Sequence, residues 1–177
     1  MTFTFTPNWL TIIRIFLIPS GVWAIFHDSS DRWQIIAFSI YFILAMTDVV
    51  DGRWARKSGK VSALGAFLDP VADKVLIGSA MISLAILDRF SWWIFAIIAV
   101  RELGITAFRL LVIRDGVIPA SKGGKIKTLM QNIGIGLYIL PLPDVLEPLR
   151  ITVIGLAVLL TVVTGVDYIV QWYRAKK

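Results

Sequence analysis

Long apolar runs, each near the roughly 20 residues needed to cross a bilayer, alternate along this chain with short polar breaks. Read from break to break they predict six helices: Asn8 to Phe26, Trp33 to Arg56, Ala63 to Leu87, Ser91 to Ile113, Ile126 to Leu142 and Leu149 to Trp172. The breaks, His27 to Arg32, Lys57 to Ser62, Asp88 to Arg89, Arg114 to Lys125 and Pro143 to Pro148, leave no room for a second domain. The expected architecture is therefore all-α: a polytopic membrane protein with six transmembrane helices and one domain over 1–177.

Composition agrees with that pattern. The chain is 57% hydrophobic and 17% charged, with a mean hydropathy of +0.77, far from the balance of a soluble domain. The absence of cysteine removes disulfides, thiolate metal sites and cysteine nucleophiles together. A net charge of +6 raises the question of nucleic acid, but no module of basic and aromatic residues is present, so no nucleic-acid partner is expected. In a membrane protein basic residues mark cytoplasmic loops and contacts with lipid head groups.

An even number of spans puts both termini on one side. Arg53, Arg56, Lys57 and Lys60, then Arg114, Lys122, Lys125 and Lys127, then Arg174, Lys176 and Lys177 share that side, and only Arg32, Arg89 and Arg150 lie opposite. The positive-inside rule then predicts a multi-pass protein of the cell membrane with both termini in the cytoplasm. Met1 to Pro7 has no Lys or Arg and the next run contains Arg14, which is not a signal-peptide pattern, so this run is expected to stay as the first span. The seven tryptophans fall near span ends, as interfacial anchors do, and His27 reads as a solvated loop residue.

Ten ionisable residues nevertheless fall inside the predicted spans: Arg14, Lys74, Arg101, Arg109, Asp48, Asp51, Asp69, Asp73, Glu102 and Asp167. Each costs about 2.5–3.5 kcal/mol on insertion scales, so they call for a polar interior or for partners. Internal ion pairing is one account of them, and Lys74 is expected to be such a partner. The spacing of four acids points elsewhere. Asp48 and Asp51 are three apart and Asp69 and Asp73 four apart, so each pair projects from one face of its own helix. A short basic loop makes the two helices antiparallel neighbours, with both pairs near its cytoplasmic end.

Four clustered carboxylates would repel one another and take up protons unless cations neutralised them. Two divalent ions would do so, and an all-oxygen donor set suits Mg²⁺ or Mn²⁺ rather than zinc or copper. Two such ions about 3.5–4 Å apart form a clamp for phosphoryl chemistry. Gly52 and Ala55 continue the face of Asp48 and Asp51, and Gly65 lies one turn before Asp69. These small residues either leave room for a nucleotide or simply let helices pack. Arg56 at the same mouth either meets a phosphate or anchors the loop.

The stretch D-V-V-D-G-R-W-A-R, eight residues, then G-A-F-L-D-P-V-A-D, from Asp48 to Asp73, resembles the signature of the CDP-alcohol phosphotransferases, D-x-x-D-G-x-x-A-R-x(8)-G-x-x-x-D-x-x-x-D, without departure at any fixed position. The resemblance implies the fold of that family and transfer of a phosphatidyl group from a CDP-linked lipid, most often CDP-diacylglycerol, to an alcohol with loss of CMP. It implies Asp48, Asp51 and Asp69 as ligands of one metal, Asp48, Asp69 and Asp73 as ligands of a second, and Asp73 as general base. It also implies that Gly52, Ala55 and Arg56 border the cytidine diphosphate and that the protein is a homodimer among membrane lipids.

Three further stretches, N-W-L-T-I-I-R-I-F-L-I-P from Asn8, R-E-L-G-I-T-A-F-R from Arg101 and G-K-I-K-T from Gly124, are similar to the branch whose acceptor is glycerol 3-phosphate. Arg101 and Arg109, eight apart on one helix face, with Lys125 and Lys127 at the mouth of the next helix, would suit a phosphate dianion. The alternative is that Arg101 pairs with Glu102 or Asp167 and the lysines are loop anchors. An inositol phosphate or phosphatidylglycerol acceptor would keep the same chemistry. A divalent-cation or proton transporter is the rival of another class, but no internal repeat of the kind common in transporters is visible.

Overall fold

A computed structural model describes the backbone of residues 7–58, 63–112 and 122–175 and the side chains of 11–47, 68–112 and 123–175. Among these residues it contains six α-helices and no strand: α1 Pro7–His27, α2 Asp31–Ser58, α3 Ala63–Ile86, α4 Trp92–Leu111, α5 Lys122–Ile139 and α6 Glu147–Ala175. A 3₁₀ turn, Asp144–Leu146, leads into α6. The helices expected from the apolar runs are all present. The largest difference is at α5, which begins at Lys122 and ends at Ile139 instead of running from Ile126 to Leu142. Its basic first turn is helical, although it reads as a break in hydropathy.

The chain forms two compact units, one built on α1, α2 and α3 and the other on α4, α5 and α6. In the first, α1 packs on both α2 and α3. Its buried positions among the described side chains are Thr11, Arg14, Ile18, Gly21, Ala24 and Ile25, a stripe at helical spacing whose N-terminal end is polar and whose remainder is apolar. α2 answers with Ala37, Tyr41 and Leu44, and α3 with Ala72, Leu76, Ala80 and Leu84. Gly21 lets α1 come close to α2, since a Cβ there would sit 3.4 Å from Ile40 Cγ2.

α3 stops in a tight turn in which Asp88 takes a left-handed conformation, φ 55°, one that Asp tolerates better than most residues. In the second unit α6 buries Ile154, Ala157, Thr161, Thr164 and Tyr168 at successive turns. α5 buries Lys127, Gln131 and Ile135. Here too each stripe has a polar part and an apolar part. Gly134 brings α5 against α6, where a Cβ would meet Ile154 Cδ1 at 3.0 Å.

The outward surface is apolar: Phe16, Trp93, Val100 and Leu111 are 79%, 80%, 72% and 81% exposed. So broad an apolar exterior is what lipid, not water, accommodates, and the chain is a membrane-associated helical protein. Among the described residues, one helix, Asp144–Ala175, is by itself long and apolar enough to cross a bilayer.

Candidate active site

Asp69 and Asp73 lie one turn apart on α3, both half-buried, and continue the buried stripe of Ala72, Leu76 and Ala80 toward the N-terminal end of the helix. Asp69 does not face that space alone. Its Oδ1 accepts a 2.6 Å hydrogen bond from Thr11 Oγ1 of α1, and Thr11 is 1% exposed. A carboxylate offers about four acceptor positions, so one bond leaves Asp69 able to bind a cation as well. Asp48, Asp51, Gly52, Ala55 and Arg56 belong to α2 and Gly65 to α3, but their side chains lie outside the described residues. Accordingly no group of three or more possible metal ligands occurs among the described residues.

The donor chemistry nevertheless fits hard cations. Asp69 and Asp73 are oxygen donors, the chain has no cysteine, and its one histidine is at the far end of α1. His27 is exposed, as expected, but it is not simply solvated. Its ring packs against Trp23 at 4.5 Å and Trp33 at 4.1 Å between centroids. Those contacts place it in an aromatic cluster where α1 hands over to α2.

A second polar cluster fills the α4–α5–α6 unit. All three guanidinium nitrogens of Arg101 have protein acceptors: Nε donates to the Thr161 carbonyl at 2.9 Å, Nη1 to Glu102 Oε1 at 2.9 Å and Nη2 to Thr164 Oγ1 at 2.8 Å. Lys127 Nζ also binds Glu102 Oε1. Lys127 is only 4% exposed, and Gln131, one turn on, donates to Thr161 Oγ1 at 2.9 Å. Each buried polar group is thus satisfied by another helix, the condition under which burial is tolerable.

The carboxylate partner of Arg101 is Glu102; Asp167 is exposed and accepts instead from Gln171 Nε2 at 2.8 Å. Arg109 shares the α6-facing side of α4 with Arg101, as their spacing requires, and its guanidinium carbon stands 5.3 Å from the centre of the Tyr168 ring. The two lysines separate: Lys125 is exposed whereas Lys127 is buried, because residues two apart on a helix face different ways. Lys74 is half-buried and has no ion-pair partner among the described residues. The connecting groups Thr11, Gln131, Thr161 and Thr164 were not singled out by the sequence reading. For Thr11 a signal existed, since Thr11 and Arg14 are polar residues three apart within an apolar run.

At the opposite end of α5, two arginines meet its last carbonyls. Arg89 Nη2 donates to the Tyr138 carbonyl at 2.9 Å, while Arg150 donates through Nε to Leu137 at 3.1 Å and through Nη2 to Leu142 at 3.0 Å. Cations belong at a helix C-terminus, where carbonyls lack partners and the dipole is negative. Burial, and secondarily the positive charge of Arg150, hold the Arg89 guanidinium below its usual pKa.

Asp69 and Asp73 thus form a half-buried carboxylate pair on α3, and the α4–α5–α6 unit carries a cation-rich cluster of its own. The sequence matches the model of the family described as CDP-alcohol phosphatidyltransferase over residues 4–163, and the chain belongs to that family. A probable phosphatidylglycerophosphate synthase of Mycobacterium tuberculosis is 46% identical over 171 residues, covering 94% of this chain and 81% of its own length. A CDP-diacylglycerol--glycerol-3-phosphate 3-phosphatidyltransferase of Bacillus subtilis is 37% identical over 186 residues, covering 97% and 96%. An enzyme of the same name from Haemophilus influenzae is 36% identical over 169 residues, covering 92% and 90%.

Proposed function

We propose that the chain transfers the phosphatidyl group of CDP-diacylglycerol to sn-glycerol 3-phosphate, giving phosphatidylglycerophosphate and CMP. The observation that carries this reading is the unbroken signature from Asp48 to Asp73, supported by Asp69 and Asp73 lying half-buried one turn apart on α3 and by relatives named for this reaction. Asp48, Asp51, Asp69 and Asp73 would hold two Mg²⁺ or Mn²⁺ ions. When bound, such ions neutralise a diphosphate and make an acceptor hydroxyl more acidic.

Asp73 accepts the proton of the acceptor hydroxyl. The freed oxygen bonds to the phosphorus that carries diacylglycerol, the bond from that phosphorus to the CMP oxygen breaks, and CMP leaves. Gly52, Ala55 and Gly65 leave space for the cytidine diphosphate, and Arg56 meets its phosphate. The acceptor's phosphate is taken by Arg101, Arg109, Lys125 and Lys127. One feature favours this: Arg109 and Lys125 are exposed.

The six helices span the bilayer, both termini and the site face the cytoplasm, and the protein works as a homodimer. The distribution of Lys and Arg along the chain and its apolar exterior support the first two statements; the third is proposed on the resemblance to the family. The test is to incubate purified protein with CDP-diacylglycerol and Mg²⁺, offer glycerol 3-phosphate, inositol phosphate and phosphatidylglycerol separately, and identify the lipid formed. Phosphatidylglycerophosphate with glycerol 3-phosphate alone is the expected result. A product only with another acceptor replaces the acceptor named here, and no CMP with any acceptor rejects the transferase reading.

A further inference from the structure

We infer that Thr11, on the first helix, is a positioning residue for the metal centre: its hydroxyl orients the Asp69 carboxylate and so sets part of the affinity for divalent cations. The inference rests on the reading of Asp69 as a metal ligand. It begins from an anomaly among the threonines. A helical threonine normally turns its hydroxyl back onto a carbonyl three or four residues earlier in its own helix. Thr47, Thr106, Thr128, Thr152, Thr161 and Thr164 all do this, donating to the carbonyls of Leu44, Glu102, Gly124, Pro148, Ala157 and Leu160. Thr11 instead crosses to another helix, to a carboxylate 58 residues away, at 2.6 Å.

The consequence is geometric. Thr11 is 1% exposed, so no water competes for its proton and the bond is held in one place. A hydroxyl donating to one carboxylate oxygen fixes the rotation of that carboxylate and directs its remaining acceptor positions, which is what an outer partner of a metal ligand does. Beyond Arg14 and Asp73, which share this polar end, the α1 stripe continues through Ile18 and Gly21 and the α3 stripe through Leu76 and Ala80. The hydroxyl therefore contributes something that an isosteric methyl would not, while the packing contribution of the side chain would survive such a change.

The experiment uses the full chain, purified in detergent, and reads Mn²⁺ binding by electron paramagnetic resonance, with no substrate present. Thr11→Val keeps the shape and removes the donor; Thr11→Ser keeps the donor. Thr11→Val is expected to weaken Mn²⁺ binding about 10- to 100-fold, and Thr11→Ser to stay within a few-fold of the parent protein. In an Asp69→Asn background, adding Thr11→Val is expected to change Mn²⁺ binding no further. If Thr11→Val does not fold, Thr11→Ala takes its place in the same series. Equal affinity in the parent and Thr11→Val overturns the inference. So does an undiminished effect of Thr11→Val in the Asp69→Asn background, which would make it a packing effect. Failure of the parent protein itself to bind Mn²⁺ would instead remove the metal reading on which the inference stands.

Discussion

Gly165 of α6 lies directly against Arg101: a Cβ there would sit 3.1 Å from Nε and 3.2 Å from Cγ. The bare backbone lets the guanidinium reach the carbonyl of Thr161, one turn back. Gly165→Ala should displace Arg101 and destabilise the protein by about 1–3 kcal/mol, the usual range for overfilling a packed site. Thermal unfolding in detergent measures it, and an unchanged midpoint would mean that Arg101 moves aside without loss.

Glu102 binds both Arg101 and Lys127 through the same oxygen. Glu102→Ala leaves two cations close together without their anion, and should cost about 3–5 kcal/mol, as breaking a buried ion pair does. Glu102→Gln keeps the shape and should fall between. Reversing the loss requires removing a cation as well, so Glu102→Gln with Lys127→Met should be more stable than Glu102→Gln alone; a further loss in the double variant would refute the charge argument.

Arg150 makes two bonds to carbonyls at and just beyond the end of α5. Arg150→Ala should lower stability by about 1.5–3 kcal/mol, the range for a hydrogen bond to a charged group, with the specific activity of the folded fraction unchanged. A variant as stable as the parent protein would show that lipid or water replaces the cap.

Asp73 carries two proposed roles, metal ligand and base. Asp73→Asn should reduce CMP release by three orders of magnitude or so, summing about 10²–10⁴-fold for general-base catalysis with some loss of metal, while binding of CDP-diacylglycerol stays measurable. Exhaustive chelation of the parent protein should abolish turnover and added Mg²⁺ should restore it. Full activity in excess chelator would reject the metal mechanism.

Arg109 is exposed and rests over Tyr168. Arg109→Ala should raise the KM for glycerol 3-phosphate about tenfold or more, consistent with loss of one charge-assisted hydrogen bond of about 1.5–3 kcal/mol, and leave that for the lipid donor within about twofold. Steady-state kinetics with each substrate varied in turn decides it, and an unchanged acceptor KM would make Arg109 a structural residue.

How far the sequence could be read depended on the range of the interaction. Helices show themselves through local periodicity, and all six appear close to where the apolar runs put them. The paired spacing of Asp69 and Asp73 is likewise a local property. At α5 hydropathy misled, because Lys122 to Lys125 looked like a loop although glycine and lysine can both be helical. Lys125 and Lys127 were then grouped as neighbours when the helix turns them apart. Contacts between distant residues were harder still. Arg89 and Arg150 read as loop charges on the sparsely charged side, but both are engaged by carbonyls of α5, 49 and 13 residues away, which no pattern of spacing announces. The alternative that Arg101 pairs with an acid was legible because Glu102 is its immediate neighbour; its bonds to α6 were not.

The stripe on α1 has a bearing on how this protein can be engineered. A featureless run of leucines of equal length would be no less apolar than Pro7–His27. It would fill the same groove beside α2 and α3 only in part, and it would offer Asp69 no proton donor. Swapping the first helix for such a run should therefore yield a helical but functionally crippled protein, whereas transplanting Thr11, Arg14 and Gly21 onto it is where repair would have to start.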